Sequence, residues 1–376
     1  MKTCDVAIVG AGVMGAAAAC ELAREGASVA LIDQSLMPNP RAASIDHSKV
    51  FRFAYPDPFY VKLAVDALKR WREIESASGA RLITQTGALL LGNHEPSFES
   101  ECFDAMRSLE LETDKLDSTQ LSIRFPQFNS GAVDYAVYDP SGAILHAETA
   151  VRALIQLARE RRVEIVEGQR VIDVRQSGSS LSAVTEFGRE IRCKGALIAS
   201  GPWSRKLVPF LEHSLTTTRQ EIVYFEPKPS DLSFEQSEFP IFLELGSGFY
   251  GFPIHHAGAM KIANHHKGVE VDPNAAEDQV GEVFVQRCRN FFSQFIPGLA
   301  DARVRETRTC IYNNTPDDDF IIDWHPELDR VLIVTGFSGH GFKFGPTIGR
   351  IGAELLMTGR APFNIDRFRL TRFNNN

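Results

Sequence analysis

The segment that most limits what this chain can fold into is CDVAIVGAGVMGAAAACELAREGASVALIDQ, beginning at Cys4. CDVAIVG reads as a short buried strand, GAGVMG as Gly10-x-Gly12-x-x-Gly15, and AAAACELAREG as a helix with Gly26 placed to end it. SVALIDQ is a second strand carrying Asp33 at its carboxyl end, 23 residues after Gly10. That order and spacing fit a βαβ dinucleotide site. Gly10 permits the tight turn, Gly12 lets a pyrophosphate approach the backbone, and Gly15 allows the helix to lie close on the sheet. Val13 and Met14 open the helix whose amino terminus faces the phosphates, and Asp33 is placed for ribose hydroxyls. The motif does not separate NAD from FAD.

Part of this segment, Val6 to Cys20, is an apolar run that could be mistaken for an export signal. A single lysine before it, Asp5 at its edge and three glycines within it argue against processing. No other stretch approaches the length of a membrane span, so the protein reads as soluble, with no membrane partner. The net charge of −8, without a basic run or stripe, lacks the footprint of nucleic-acid binding. Six cysteines without a CxxC pair fit reduced thiols and a cytoplasmic location.

With 376 residues the chain is expected to form two domains. GREIRCKGALIASGPWSRKLV ends a strand, Gly195 to Ser200, on a Gly-Pro-Trp turn. DRVLIVTGFSGHGFKFGPTIGRIGAELL ends another, Val331 to Thr335, on a glycine-rich loop before a helix. Strands that return to the first sheet after long excursions imply an α/β fold: a discontinuous Rossmann-type domain over 1–82, 145–212 and 318–376, and a mainly β substrate domain over 83–144 and 213–317. FEPKPSDLSFEQSEFP reads as a surface connection, and the three terminal asparagines as frayed.

Several side chains invite a chemical reading beside a structural one. Cys310, in RTCIYNNTPDDDFIIDWHP, is either a small core hydrophobe or a functional thiol. In GFSGHGFKF, Gly339 and Gly341 flank His340, so backbone N–H groups can approach an anionic centre, or the loop is a tight turn with an exposed histidine. Arg52 has the planar fork that suits a carboxylate, although surface ion pairs use the same residue. The hairpin FYGFPIHHAGAMKIANHH should turn at HHAGA and put Lys261 and His265 on one face of its second strand. Its two His-His pairs do not predict a metal site, because adjacent strand residues point to opposite faces.

Taken together, DVAIVGAGVMGAAAA, KVFRFAY, YGFP, MKIANHH, CIYNNTPDDDFIIDWHP and GFSGHGFKF resemble the FAD-dependent monomeric sarcosine oxidase family, which includes N-methyltryptophan, L-pipecolate, saccharopine and fructosyl amine oxidases. The resemblance implies FAD bound covalently through Cys310 to the 8α-methyl carbon. A cation beside the thiol would assist that bond, and Arg305 and Arg308 are candidates for it. By the same resemblance Ser44, Lys49, Val171, Ser200, Gly201, Trp203, Phe337, Gly339, His340, Gly341 and Lys343 surround the cofactor. Arg52 and Lys343 would bind a substrate carboxylate, Tyr250 and His265 would lie near the amine, and Lys261 would promote electron transfer to oxygen. The implied reaction takes a hydride from the carbon next to a secondary amine and leaves an imine, with O2 reduced to hydrogen peroxide by a monomeric enzyme. Lys49 departs from the bacterial sarcosine oxidases, which carry arginine there. The Asp46, Lys49, Arg52 pattern looks more like the pipecolate, saccharopine and fructosyl amine branches, so L-pipecolate or an N-alkyl amino acid is favoured over sarcosine. The alternatives are a non-covalent flavin enzyme of the glycine or D-amino acid oxidase type, and a non-catalytic dinucleotide-binding redox sensor.

Overall fold

The opening segment forms strand β1 (Thr3–Val9), helix α1 (Val13–Arg24) and strand β2 (Val29–Ile32). Gly26, just past the helix, has a φ of +88°, a conformation that costs glycine little. The computed structural model describes residues 3–275 and 279–373; the asparagine tail read as frayed lies outside the described residues.

β1 pairs in parallel with β2 on one side and with Glu190–Ile198 on the other, and Val331–Thr335 extends the parallel set beyond that strand. Glu164–Val166 closes the opposite edge beside β2. Three antiparallel strands complete an eight-stranded sheet. Of the two returning strands expected from sequence, one is therefore the neighbour of β1 and the other lies one strand further out, and all three end on the same rim as the glycine loop. The parallel strands read as nearly unbroken apolar runs because both of their faces are covered. On one face α1 lies against the helix Gly345–Thr358. A Cβ at Gly349 would come within 2.6 Å of the Ala17 Cβ, and one at Gly345 within 2.4 Å of Val13 Cγ2, so small residues set the closeness of this crossing.

A second, nine-stranded sheet holds the long strands Thr216–Glu226 and Arg303–Asn314, paired antiparallel, and the hairpin Phe249–His256 with Ala259–Asn264. The hairpin turns on Ala257 (φ +49°) and Gly258 (φ +72°), both left-handed, as a tight two-residue turn requires. A phenylalanine-rich cluster that includes Phe225, Phe242, Phe291 and Phe292 fills the space between this sheet and the helix Glu282–Phe295. FEPKPSDLSFEQSEFP is not wholly superficial, because Phe234 and Phe239 are buried in that cluster. Strand β3 (Lys49–Phe51) belongs to neither large sheet; it pairs with Ala143–Leu145 in a three-stranded sheet of its own.

Candidate active site

A groove runs along the rim where β1, β2 and the two returning strands end. Its wall includes Gly10, Gly12, Val13, Met14, Asp33, Ser44, Lys49, Val171, Ser200, Gly201, Trp203, Phe337, Gly339 and Gly341. Of the residues assigned to the cofactor, Gly15, Cys310, His340 and Lys343 are not on this wall. Gly15 instead packs the helix onto the turn, since a Cβ there would fall 1.9 Å from the Gly10 carbonyl oxygen. Gly10 has a φ of +104°, and its Cβ would sit 2.4 Å from the Ala199 carbonyl oxygen; no side chain fits there. Ser44 braces the loop by accepting a hydrogen bond from the Val13 N–H (3.0 Å). Asp33 is buried and accepts from the Ala11 N–H (2.9 Å), the Ser35 N–H (3.0 Å) and the Asn39 side chain (3.1 Å). Burial raises its pKa even so.

Lys49 lies where the groove meets a second cavity of about 470 Å³, and it lines both. Its Nζ is 3.3 Å from Cys310 Sγ and 3.6 Å from Asp46 Oδ2. Burial works against its charge, but the Cys310 sulfur and the Asp46 carboxylate outweigh it and hold the ammonium's pKa above its ordinary value. The cation beside Cys310 is thus Lys49 and neither of the arginines named from sequence. Arg305 is exposed, and Arg308 donates to His47 Nε2 (2.8 Å). Cys310 itself is buried and lines neither cavity, although Lys49, which lines both, and its sequence neighbour Ile311, which lines the groove, adjoin it.

The second cavity carries Arg52, Tyr250, His265, His340 and Lys343. Arg52 is buried, its guanidinium lies 4.2 Å above the Tyr55 ring, and its Nη1 has no hydrogen-bond partner. Such an orphaned donor marks a place for an anion. Tyr250 and Tyr312 hydroxyls are 3.4 Å apart. Burial, and after it the Arg52 guanidinium, push the His265 pKa down to about 4, so its imidazole is neutral at physiological pH. Phe98, Leu243 and Leu245 give the cavity an apolar side.

Lys261 reaches neither cavity. Its Nζ donates to Asp46 Oδ2 (2.5 Å) and to the Ser48 carbonyl oxygen (2.8 Å), with both charged side chains 1% exposed. His265, by contrast, lies beyond the end of the strand and faces the second cavity, so the hairpin separates the two residues that strand alternation had put on one face. Asp46 also accepts from the Tyr224 hydroxyl (3.1 Å) and from the His47 N–H (2.8 Å). Burial opposes its charge, yet Lys261 and Lys49 hold its carboxyl well below the usual range.

His47, His256 and Glu306 bring potential metal-ligand atoms within 4.8 Å of one another. The two imidazoles, however, are stacked face to face at 3.5 Å and 15°, so an ion shared between their nitrogens would lie well out of both ring planes. Arg308 also occupies the space in front of His47 Nε2. This cluster is a stacked pair held by a carboxylate and a guanidinium, which is poor geometry for a metal.

Residues 5–355 match the FAD dependent oxidoreductase family. The chain is 32% identical to peroxisomal sarcosine oxidase of Mus musculus, over 98% of this chain and 96% of the relative. It is equally similar, 32% over 98% and 96%, to monomeric sarcosine oxidase of Bacillus sp. (strain B-0618). The fold matches L-proline dehydrogenase from P. horikoshii with a TM-score of 0.87 at 19% identity, covering 99% of this chain and 98% of that one. The groove suits the dinucleotide this family uses, because Gly10 and Gly12 line it and offer backbone without side chains to a ligand.

Proposed function

Because the chain belongs to the FAD dependent oxidoreductase family, we propose that it oxidises an amino acid bearing a secondary amine to the imine and reduces O2 to hydrogen peroxide. The observation that carries this reading is the buried Arg52 guanidinium, orphaned at Nη1, on the wall of the second cavity. Bound FAD would supply the hydride acceptor and the path of electrons to oxygen. Gly10, Gly12, Val13, Met14, Asp33, Ser44 and the 337–341 loop would hold it, and Cys310 would bind it covalently, with the Lys49 ammonium 3.3 Å from its sulfur. Arg52 and Lys343 receive the substrate carboxylate and so fix the reacting carbon. Tyr250 and neutral His265 stand beside the amine, and Phe98, Leu243 and Leu245 keep water from the apolar part of the substrate. A cavity of about 470 Å³ favours L-pipecolate or an N-alkyl L-amino acid over sarcosine. The same proposal divides the chain into a discontinuous cofactor domain (1–82, 145–212, 318–376) and a substrate domain (83–144, 213–317), acting as a cytoplasmic monomer.

Peroxide release measured over sarcosine, N-methyl amino acids, L-proline, L-pipecolate and piperidine tests the reading. Turnover is expected with a carboxylate-bearing secondary amine and little with piperidine; no turnover of any carboxylate-bearing amine would refute it. One observation favours a second reading, in which another acceptor replaces oxygen: Lys261 reaches neither cavity. Dye reduction without peroxide would select that reading.

A further inference from the structure

We propose that Lys343 is an uncharged amine in the substrate-free enzyme and acts as the base that takes the proton of the incoming substrate ammonium. This rests on the reading that the second cavity binds an amino acid with a secondary amine.

The hydrogen bonds around Lys343 can be followed outward. The Asp318 carbonyl oxygen, 3.0 Å from His340 Nε2, can only accept, so Nε2 carries the imidazole proton and Nδ1 is an acceptor. The Tyr55 hydroxyl, 3.3 Å from Nδ1, therefore donates to it and leaves its oxygen to accept. Lys343 Nζ donates to that oxygen (2.8 Å) and to the His340 carbonyl oxygen (2.8 Å). Those two acceptors use both hydrogens of a neutral amine and provide nothing for the third hydrogen of an ammonium.

Among the described residues no anion compensates a charge at this position. Lys343 is buried, and the charged group that acts on it is the Arg52 guanidinium, itself a cation. The other titratable groups around it are Tyr55, His340 and His265; burial leaves both histidines neutral at physiological pH. Trp71, from the helix Pro58–Ser78, donates its indole N–H to the Lys343 backbone carbonyl and brings no charge. The acids on the cavity are engaged elsewhere: Asp57 and Asp319 with Arg367, Asp317 with Arg372, and Asp318 with Lys267. A buried ammonium beside a second cation and without a carboxylate is costly, so the amine gives up its proton. Burial and Arg52 accordingly hold the Lys343 pKa well below its ordinary value. Lys261, likewise buried, differs in having the Asp46 carboxylate beside it, which opposes the lowering of its pKa by burial.

An amino acid with a secondary amine arrives as a zwitterion, and the amine must lose a proton before a hydride can leave the adjacent carbon. In the proposed step one N–H bond of the substrate ammonium breaks, its electron pair stays on the substrate nitrogen, and the proton forms a bond with the lone pair of Lys343 Nζ. Net charge is conserved. The new Lys343 ammonium and Arg52 then both face the substrate carboxylate, so the proton transfer also creates the second cation of the carboxylate site. His265 is a poorer candidate because its pKa is down to about 4, and His340 Nδ1 is already occupied by Tyr55.

A carboxylate without an ammonium cannot supply that proton and must draw it from solvent. Isothermal titration of the holoenzyme with tetrahydropyran-2-carboxylate, at about pH 8 in buffers of different ionisation enthalpy, reads the proton count directly; an ordinary lysine is already charged there. Uptake of about one proton per site is expected for the unaltered protein, and about none for Lys343→Met or Lys343→Arg, whose guanidinium is permanently charged. Binding without proton uptake in the unaltered protein overturns the inference and leaves the substrate class standing. Uptake that persists in both variants assigns the proton to another group and also overturns it. Failure of the carboxylate to bind overturns the inference together with the reading it rests on.

Discussion

The sulfur of Cys310 and the ammonium of Lys49 are 3.3 Å apart in space and 261 positions apart in the chain. That separation is why the sequence could not show Lys49 as the cation beside the cysteine: Arg305 and Arg308 are near in sequence, but alternation along a strand turns Arg305 to solvent, and Arg308 donates to His47. Burial is the main cause that pushes the thiols of Cys4 up to about 11 and of Cys20, Cys193 and Cys288 up to about 12. Acid-precipitated protein is therefore expected to retain its flavin, Cys310→Ala to release it, and Lys49→Met to lower the covalent fraction several-fold without abolishing FAD binding. Flavin in the supernatant of the unaltered protein would contradict the covalent assignment. The sequence offered Arg52 as a candidate carboxylate fork; that its Nη1 is orphaned follows only from the fold. Arg52→Ala should cost about 2–5 kcal/mol in kcat/KM for L-pipecolate, as when one partner of a desolvated charge pair is removed, and much less for piperidine. Equal losses for both compounds would show that Arg52 does not read the carboxylate.

Local periodicity made the βαβ unit legible at the level of elements, because each of its parts is dictated by neighbours a few residues away. Position within the second sheet was less legible. Lys261 sits on the expected strand, yet its partner Asp46 comes from the segment before β3, 215 positions away. A fully buried lysine on a strand could not be told from a cavity-lining one without that contact. The pair suggests a double-mutant cycle. Lys261→Met leaves Asp46 charged in the interior and should destabilise the protein by about 3–5 kcal/mol, whereas adding Asp46→Asn should recover a large part of that loss. Denaturant unfolding measures both, and additive losses would show that the two side chains do not act as a pair. The pH dependence has a definite sign. Asp46 has a folded-state pKa below its unfolded one, so its contribution is present above the usual carboxylate range and fades as pH falls below it. The single variant Asp46→Asn should therefore flatten the acid side of the stability curve.

At the scale of the whole molecule, the expected return of distant strands to one parallel sheet is what brings Gly10, Ser200 and Gly339 to a single groove. Hydrophobic patterning could not say how the other sheet would be tied across that groove, because the ties are polar and surface-borne. Lys206 pairs with Asp272 (2.9 Å), Arg205 with Glu270 (3.1 Å), and Trp203 and Arg41 donate to Asn274 (2.8 and 2.9 Å). Trp203, Lys206 and Asn274 are themselves groove-wall residues. Exposed pairs of this kind contribute about 0–1 kcal/mol to folding each, so their loss should barely move the melting temperature of the apoprotein. Retention of a ligand in the groove is a different quantity, and contacts that span the groove are expected to slow the exit of a long dinucleotide. In a Cys310→Ala background, where FAD is held without a covalent bond, adding Asp272→Ala and Asn274→Ala should speed FAD release about tenfold, the effect of losing about 1.4 kcal/mol of hydrogen bonding across the groove. Stopped-flow recovery of flavin fluorescence on dilution gives the rate. An unchanged rate would mean that the segment leaves the cofactor's exit free; a faster rate accompanied by a large fall in melting temperature would mean that these contacts hold the fold and not the ligand.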